Sequence, residues 1–328
     1  MRAYLYNGAG GPEVLDLTEV PDPVPGAGEV LIEVAGVGLN RADVMQRIGV
    51  YPPPKGVTNI PGLEVSGVVA AVGEGSDAWV QELKGKQVVA LLAGGAYAEK
   101  VSVDARHVLP VPAGVDLVDA AGLIEVAATV HSNLRGEAKV APRETVLVHG
   151  GTGGIGTFAL QYLSALGATA LTTVGNAEKA QLAEQLGAAH AINYREEDLV
   201  SRVKELTDGR GVDVIFDVVG AKYLQANLKS LAPDGRLVII GLMGGRKAEA
   251  DLGLMLAKRL RIIATTLRSR GADAKAEIVR GVGEEIWPLI ENGQISIQTN
   301  KVFGFDEARA AQEYFDSGEH TGKVLLRL

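Results

Sequence analysis

The residues with the clearest chemical capacity lie near the middle of the chain and fit the pattern G-x-G-x-x-G: Gly151, Thr152, Gly153, Gly154, Ile155 and Gly156. In such a loop the first glycine allows a tight turn, the second lets backbone N–H groups approach a pyrophosphate, and the third lets a helix pack on a strand. A glycine turn that serves only packing is the alternative in a chain with 42 glycines. The apolar run before the loop and the helical spacing after it favour dinucleotide binding.

Residues about 20 positions further on bear on which dinucleotide binds. A site for NAD usually places an acid at the end of the second strand, on the ribose 2′-hydroxyl. Here that strand ends at Gly175 and Asn176, without an acid, and Lys179 follows one turn into the next helix. Tyr194, after the third strand, is placed to cover the adenosine. These features favour NADPH, although Lys179 on a solvated helix face and Tyr194 as a packing residue are the alternatives.

Composition narrows the function classes. The 328 residues include 32 Lys and Arg against 40 Asp and Glu, which gives a net charge of −8. This balance disfavours a broad nucleic-acid or anionic-membrane surface. The chain has no cysteine, so disulfides, a thiolate nucleophile and Cys-based metal sites are excluded. No signal-peptide pattern or membrane-length apolar run is present, and the cytoplasm is therefore the expected compartment.

The elements that must position these residues change character along the chain. The first third shows short alternating strands and proline-rich turns, including Pro52 to Pro54, and predicts a β-rich unit. From Thr145 the chain alternates strands with helices, which predicts an α/β fold with a parallel sheet covered on both faces. Residues 295–328 return to a strand–helix–strand pattern, so the β-rich unit is predicted to be interrupted by an inserted Rossmann domain.

Several further motifs, in order and spacing, resemble the quinone oxidoreductases, the zeta-crystallin-like branch of the medium-chain dehydrogenase/reductase superfamily. They cover nearly the whole chain: 39–43 (LNRAD), 49–54 (GVYPPP), 61–67 (PGLEVSG), 148–156 (VHGGTGGIG), 191–197 (AINYREE), 234–237 (DGRL), 240–245 (IGLMGG), 265–270 (TTLRSR) and 317–323 (SGEHTGK).

The resemblance implies a GroES-like catalytic domain over residues 1–120 and 268–328. It implies a doubly wound Rossmann domain, which binds NADPH, over residues 121–267. A homodimer is also expected from it, with the apolar edge strand Arg261 to Leu267 paired across a two-fold axis.

The same resemblance predicts that no metal takes part. Zinc-dependent relatives carry a ligating cysteine near Asn40 and a histidine where this chain has Leu63, and the structural zinc loop is absent with every cysteine. The five histidines are too dispersed to form a local ligand cluster. Without a Lewis acid, hydride transfer needs an acceptor that is already electron-poor, such as a quinone or an α,β-unsaturated ketone.

Pocket residues are also implied by the resemblance. Asn40 and Tyr51 are the candidate catalytic residues: Asn40 would donate to a carbonyl or hold the nicotinamide amide, and Tyr51 would stack on a quinone or donate to it. Turn formation and loop packing are their respective alternatives. The nicotinamide end is expected at Thr129, Gly241, Met243 and Leu267, with core packing as the alternative for the last two. Asp43 and Glu64 are interpreted as structural.

The leading hypothesis is NADPH-dependent reduction of small quinones, by one or two electrons. Reduction of the C=C bond of a 2-alkenal or enone is the alternative, because the two reactions differ in pocket shape only. A non-catalytic nucleotide-binding or RNA-binding protein is a third hypothesis, and the acidic balance with no Lys/Arg stripe argues against RNA.

Overall fold

The computed structural model describes all residues, 1–328, and the chain forms two compact units. Unit 1 comprises residues 1–128, 267–291 and 297–328, and unit 2 comprises residues 129–266 and 292–296. The chain therefore leaves unit 1 at residue 129, builds most of unit 2, returns at residue 267, and enters unit 2 once more for residues 292–296. No helix is long and apolar enough to cross a membrane.

Unit 1 is built mainly from β-strands. Its strands are β1 (Arg2–Tyr6), β2 (Leu15–Glu19), β3 (Glu29–Gly38), β4 (Glu64–Val72), β5 (Gln87–Leu91), β6 (Lys100–Asp104), β7 (Val108–Pro110), β14 (Thr299–Gly304) and β15 (Lys323–Arg327). Its helices are α1 (Arg41–Arg47), α2 (Ala78–Gln81), α9 (Ala272–Glu285), α10 (Trp287–Glu291), α11 (Ala308–Ser317) and most of α3 (Ile124–Val130).

The main sheet of unit 1 joins both ends of the chain. Its strand order is β14-β15-β3-β4-β5-β7, and β6 also pairs with β3. Strand β15 lies antiparallel to β3, with Leu325 opposite Gly38. Along β3 mostly buried and more accessible side chains alternate, as expected for a strand with one face on the core. The register of this sheet therefore brings residues near position 40 close to residues near position 323.

Unit 2 is an alternating α/β unit. Its strands are β8 (Thr145–His149), β9 (Thr169–Val174), β10 (Ala188–Asn193), β11 (Val212–Asp217), β12 (Leu231–Ile239) and β13 (Arg261–Ala264). Its helices are α4 (Gly154–Leu166), α5 (Ala177–Gln185), α6 (Leu199–Leu206), α7 (Leu224–Ser230) and α8 (Leu252–Lys258), and a π-helical stretch runs from His131 to Glu137.

The six strands of unit 2 are parallel and follow the order β10-β9-β8-β11-β12-β13. The chain moves outward from β8 through β9 to β10 and then crosses back to β11. The topological switch point therefore lies between β8 and β11, and in open α/β sheets ligands bind at the carboxyl ends of the strands there. The predicted doubly wound Rossmann sheet is confirmed.

Helix α4 shows why this segment folds as the sequence predicts. It begins after Gly153, and it ends at Gly167, which adopts a left-handed φ of 76° that glycine tolerates best. All of its residues from Gly156 to Leu163 are buried, including the large apolar side chains of Phe158, Leu160 and Leu163. The apolar spacing and the terminal glycines together determine the length of this helix.

Two details differ from the sequence prediction. The last strand of the sheet ends at Ala264 rather than continuing to Leu267. The 14-residue helix α9 follows soon after, and the sequence pattern did not predict it. Helix α9 is anchored by tertiary contacts such as that of His107 Nε2 with the carbonyl oxygen of Ala272, 2.9 Å away.

Candidate functional site

The glycine-rich loop lies at the carboxyl end of β8, beside the switch point. The left-handed φ of the turn belongs to Gly150 (75°), one residue before the position predicted for it. At Gly151 a Cβ atom would lie 2.1 Å from Thr172 Oγ1, so this glycine permits close approach to β9. At Gly156 a Cβ atom would lie 2.2 Å from the carbonyl oxygen of Gly150, which supports its predicted packing role.

The start of α4 provides the donors that a pyrophosphate needs. Gly153 is the N-cap residue, and a Cβ atom there would meet nothing closer than 3.7 Å, so the loop is open at this point. The first N–H groups of the helix, from Gly154, Ile155 and Gly156, have no acceptor within the helix. Together with the positive end of the helix dipole, these groups suit the binding of an anion.

The predicted adenosine-end residues lie together at the carboxyl ends of β9 and β10. Asn176 caps α5, because its Oδ1 accepts the N–H of Lys179 at 2.8 Å. Tyr194 lies beside Gly175, where a Cβ atom would be 2.7 Å from the phenol oxygen. Exposed Arg195 follows, a cation that the sequence reading missed. No acid occupies the end of β9, so a 2′-phosphate would meet cations there.

The residues predicted at the nicotinamide end divide between the units. Gly241 packs on the loop after β11, since a Cβ atom there would lie 2.8 Å from the carbonyl oxygen of Val218. Met243 donates its N–H to the same oxygen at 3.2 Å and is 64% exposed, which excludes the core-packing alternative for it. Thr129 is buried in unit 2, whereas Leu267 is half-buried and belongs to unit 1.

In unit 1 Asn40 is held in a buried polar cluster. Lys323 Nζ donates to Asn40 Oδ1 at 2.9 Å, to Glu64 Oε1 at 2.6 Å and to the carbonyl oxygen of Leu39 at 3.0 Å. Glu64 is fully buried and Lys323 is 3% exposed. We call Asn40, Glu64 and Lys323 the amide–ion-pair cluster.

This cluster determines which hydrogen-bonding groups of the Asn40 side chain are available to a ligand. Its Nδ2 group donates to the carbonyl oxygen of Gly38 at 3.2 Å and to Glu64 Oε1 at 3.0 Å. Both side-chain N–H groups are therefore used inside the protein, and the arrangement does not favour the predicted donation to a substrate carbonyl. Asn40 Oδ1 keeps a second lone pair, which suits acceptance from a carboxamide N–H.

Tyr51 is positioned by an arginine that the sequence reading did not select. The guanidinium of Arg268 lies 5.4 Å from the centre of the Tyr51 ring, and its Nη1 donates to the Tyr51 carbonyl oxygen at 3.3 Å. Its other nitrogens donate to the carbonyl oxygen of Ala93 at 2.7 Å and to Gln46 Oε1 at 2.6 Å. Arg268 therefore holds the loop of Tyr51 to helix α1 and to a second loop.

Asp43, in helix α1, is a buried carboxyl close to the amide–ion-pair cluster. Its Oδ2 accepts the N–H of Asn40 at 2.9 Å and the phenol of Tyr97 at 3.2 Å. Burial raises the pKa of Asp43 to about 7, and these hydrogen bonds with the charges of Lys323 and Arg268 oppose that rise only in part. Asp43 supports the backbone of Asn40, which agrees with the structural role inferred for it.

The donor set in this region suits hydrogen bonding rather than metal coordination. No three His, Cys, Asp or Glu side chains are grouped so that they could hold a metal ion. Glu64 is engaged by Lys323 and by the N–H of Glu125, 3.0 Å from its Oε2. The residues of unit 2, in contrast, fit a phosphorylated dinucleotide, because they combine open helix N–H groups with an acid-free strand end.

Comparisons with known proteins agree with this architecture. Residues 26–113 match the alcohol dehydrogenase GroES-like domain, and residues 154–280 match the zinc-binding dehydrogenase domain. The chain is 36% identical over 321 residues to a quinone oxidoreductase of Salmonella typhimurium, covering 97% of this chain and 96% of the relative. It is 32% identical over 337 residues to a 2-haloacrylate reductase of a Burkholderia species, covering 99% and 98%.

A solved structure extends the likeness to three dimensions. The quinone oxidoreductase of Escherichia coli in complex with NADPH matches with a TM-score of 0.91 and 32% identity, over 100% of both chains. The fold and the two matched domains define a medium-chain dehydrogenase/reductase. Within that superfamily, the chain belongs to the quinone oxidoreductase family, as its motifs predicted.

Arg268 and Lys323 are the functional-site residues that sequence reasoning missed. Both lie within motifs that carried the resemblance, 265–270 and 317–323, but neither has a spacing that marks it as a partner of Tyr51 or Asn40. Their partners lie more than 200 residues away along the chain.

The amide–ion-pair cluster predicts an asymmetric response to substitution. Lys323→Met leaves the Glu64 carboxylate buried without its counter-charge and should lower the free energy of unfolding by roughly 3–5 kcal/mol. The double variant K323M/E64Q removes both charges and should recover a large part of that loss. Urea unfolding followed by circular dichroism measures both; a double variant no more stable than K323M would contradict the assignment.

Asp43 predicts a pH-dependent stability. Its pKa is raised in the folded state, so its contribution is fully present below the unfolded pKa near 4 and is lost as pH rises towards about 7. Asp43→Asn cannot ionise and keeps an oxygen acceptor. From pH 5 to pH 8 the variant should therefore gain about 3 kcal/mol relative to the wild type, two pKa units at 1.36 kcal/mol each. Urea unfolding at pH 5 and at pH 8 measures this. The same difference in free energy of unfolding between variant and wild type at both pH values would refute the prediction.

Proposed function

We propose that this protein is an NADPH-dependent quinone oxidoreductase, which transfers hydride or electrons from NADPH to small quinones without a metal. The observation that carries the proposal is the anion-binding loop at the switch point, combined with an acid-free end of β9 next to Lys179. Family relatives named quinone oxidoreductase and a neighbouring structure in complex with NADPH support it.

Each part of unit 2 has a role in holding the cofactor. The N–H groups of Gly154, Ile155 and Gly156 bind the pyrophosphate, and Gly151 and Gly153 keep the approach open. Lys179 neutralises the 2′-phosphate, while Tyr194 covers the adenosine. NADPH supplies the hydride, and Thr129, Gly241, Met243 and Leu267 are the residues proposed for its nicotinamide end.

On the acceptor side, the residues of unit 1 suit an electron-poor carbonyl compound. Asn40 and Leu63 stand where zinc-dependent relatives have metal ligands, and neither a carboxamide bound to Lys323 nor a leucine suits zinc. A quinone delocalises the incoming negative charge itself and therefore does not need a Lewis acid. Asn40 holds the nicotinamide carboxamide through its Oδ1, and Tyr51, backed by Arg268, offers a flat ring and a hydroxyl to the acceptor.

Reduction of the C=C bond of a 2-alkenal or enone is the second candidate. The 2-haloacrylate reductase that covers 99% of this chain favours it, because the name of that relative describes an α,β-unsaturated acid. The chemistry required is the same, namely hydride delivery to an electron-poor conjugated system. Parallel turnover assays with a benzoquinone and a 2-alkenal distinguish the two candidates.

We also propose that the active form is a cytoplasmic homodimer. Edge strand β13 exposes Ile262, and helix α8 of the same unit exposes Leu252 (71%) and Leu256 (81%). Exposed apolar side chains and an open strand edge in one unit suit pairing with a second copy. Size-exclusion chromatography with light scattering tests this, and a clean monomer would contradict it.

The cofactor pocket predicts a charge-specific effect. Lys179→Met should raise the KM for NADPH roughly tenfold, about 1.4 kcal/mol, and leave the weaker use of NADH unchanged. Initial rates with both reduced cofactors and a benzoquinone measure the effect. The exposed Lys204→Met variant in the same unit is the matched control and should resemble the wild type. Equal use of NADH and NADPH by the wild type would refute the pocket.

The packing of Arg268 on Tyr51 predicts a selective loss on the acceptor side. Arg268→Lys keeps the charge but loses the planar group that reaches three acceptors, and it should raise the KM for the quinone about three- to tenfold. The dissociation constant for NADPH should not change. Arg280→Lys, on an exposed helix face, is the control. A loss of NADPH affinity as large as the change in quinone KM would indicate general damage instead.

A further inference from the structure

Two residues face each other across the switch point of unit 2. His149 is the last residue of β8 and Asp217 is the last residue of β11, and these strands are neighbours in the sheet. The glycine-rich loop follows His149, and the loop 218–220 follows Asp217. Both side chains are buried: His149 is 1% exposed, and Asp217 is fully buried. Their connection therefore lies directly beneath the crevice in which a dinucleotide binds.

A series of hydrogen bonds joins the two loops. The donor and the acceptor of each bond can be assigned in turn, starting from Asp217. Asp217 accepts the N–H groups of Val219 (2.6 Å) and Gly220 (3.1 Å), and these bonds oppose the rise in its pKa that burial causes. Asn227 Nδ2 donates to Asp217 Oδ2 at 3.1 Å. The amide of Asn227 must therefore present its Oδ1 to His149 Nε2, 2.8 Å away, and so Nε2 carries a hydrogen.

The other ring nitrogen continues the chain towards the glycine-rich loop. His149 Nδ1 lies 3.1 Å from Thr173 Oγ1 and accepts its hydroxyl hydrogen. Thr173 Oγ1 in turn accepts the N–H of Gly150 at 3.2 Å. We call this series, from Gly150 to Gly220, the His149 relay. The orientation of Asn227 requires a hydrogen on Nε2, and in the neutral imidazole Nδ1 is free to accept the hydroxyl hydrogen of Thr173, so that every member has a donor matched to an acceptor.

The surroundings keep the imidazole neutral. Burial lowers the pKa of His149, and the Asp217 carboxylate, separated from it by the Asn227 amide, opposes that shift only in part. The ring of Tyr223 packs edge-on against the imidazole, with centroids 4.9 Å apart. These contacts leave the ring little freedom to turn.

The two loops joined by the relay serve different halves of a dinucleotide. Gly150 begins the loop that leads into the pyrophosphate-binding start of α4. Val218 supports the other half, because its carbonyl oxygen accepts the N–H of Met243 and lies against Gly241. A displacement of one loop relative to the other would therefore separate the two parts of the cofactor site.

We propose that His149, as its neutral Nε2–H tautomer, is a positioning residue that holds the glycine-rich loop and the loop 218–220 in the register needed to bind both halves of one NADPH molecule. This inference rests on the proposed use of NADPH. It assigns to His149 no contact with the cofactor, and its effect is transmitted through Thr173 and Asn227.

Binding of two probes to the purified protein tests the proposal by calorimetry. NADPH spans both loops, whereas adenosine 2′,5′-bisphosphate reaches only the glycine-rich loop and the adenosine end. His149→Leu should weaken NADPH about tenfold and adenosine 2′,5′-bisphosphate no more than about twofold. His149→Gln, which keeps one donor and one acceptor, should recover most of the affinity for NADPH. The exposed His190→Gln is the matched control.

Thr173→Val provides an independent variant, since it removes only the hydroxyl link and should show the same selective loss. Equal weakening of both probes in these variants, or no weakening of either, would overturn the proposal. Wild-type protein that fails to bind NADPH would instead refute the proposed cofactor, and the inference would fall with it. If the wild type binds NADPH but the variants show no selective loss of NADPH affinity, the role of the His149 relay is refuted and the proposed cofactor stands.

The tautomer is tested without any ligand. Long-range ¹H–¹⁵N correlation spectra of the imidazoles at pH 7, with the His149 signals assigned by their loss in His149→Gln, should show one neutral ring with hydrogen on Nε2. An imidazolium, or a ring with hydrogen on Nδ1, would overturn the assigned direction of the relay.

Discussion

The buried ion pair of Lys323 and Glu64 is the interaction on which unit 1 depends. Removing two charges from water is costly, and the structure offsets that cost only because the ammonium finds three oxygen acceptors within 3.0 Å. Those acceptors come from the end of β3, the start of α1 and β4. The pairing therefore links the C-terminal strand β15 to segments about 260–284 residues earlier.

The same pair determines the orientation of Asn40. Because Lys323 occupies one lone pair of Asn40 and Glu64 takes one of its N–H groups, the carboxamide has a single orientation. Asp43 fixes the backbone of the same residue, and Arg268 fixes Tyr51. Unit 1 thus positions its two candidate catalytic residues through buried ionisable groups.

In unit 2 the candidate site residues are positioned mainly by neutral groups. Its site is made from backbone N–H groups at a helix start, and the His149 relay joins the loops by hydrogen bonds that depend on one tautomer. The one carboxyl in that series, Asp217, is satisfied by two backbone N–H groups and the amide of Asn227.

The sequence by itself determined those features that depend on local spacing. The glycine-rich loop, the alternation of strands and helices from Thr145 and the acid-free end of β9 all follow from residues that are close together in the chain. Helix α9 and the short end of β13 were not predicted, because their limits are set by contacts with distant residues. Even within the glycine loop, the left-handed turn belongs to Gly150 and not to Gly151, a choice that the pattern alone does not specify.

Only the tertiary structure decided how the site residues are used. Asn40 was identified from its motif, but its orientation depends on Lys323, 283 residues away. Tyr51 depends in the same way on Arg268, and the tautomer of His149 depends on Asn227 and Asp217. The physical reason is that hydrogen-bond direction and charge compensation are properties of groups in contact. The register of the sheets brings those groups together, and no local pattern in the chain records which of them will meet.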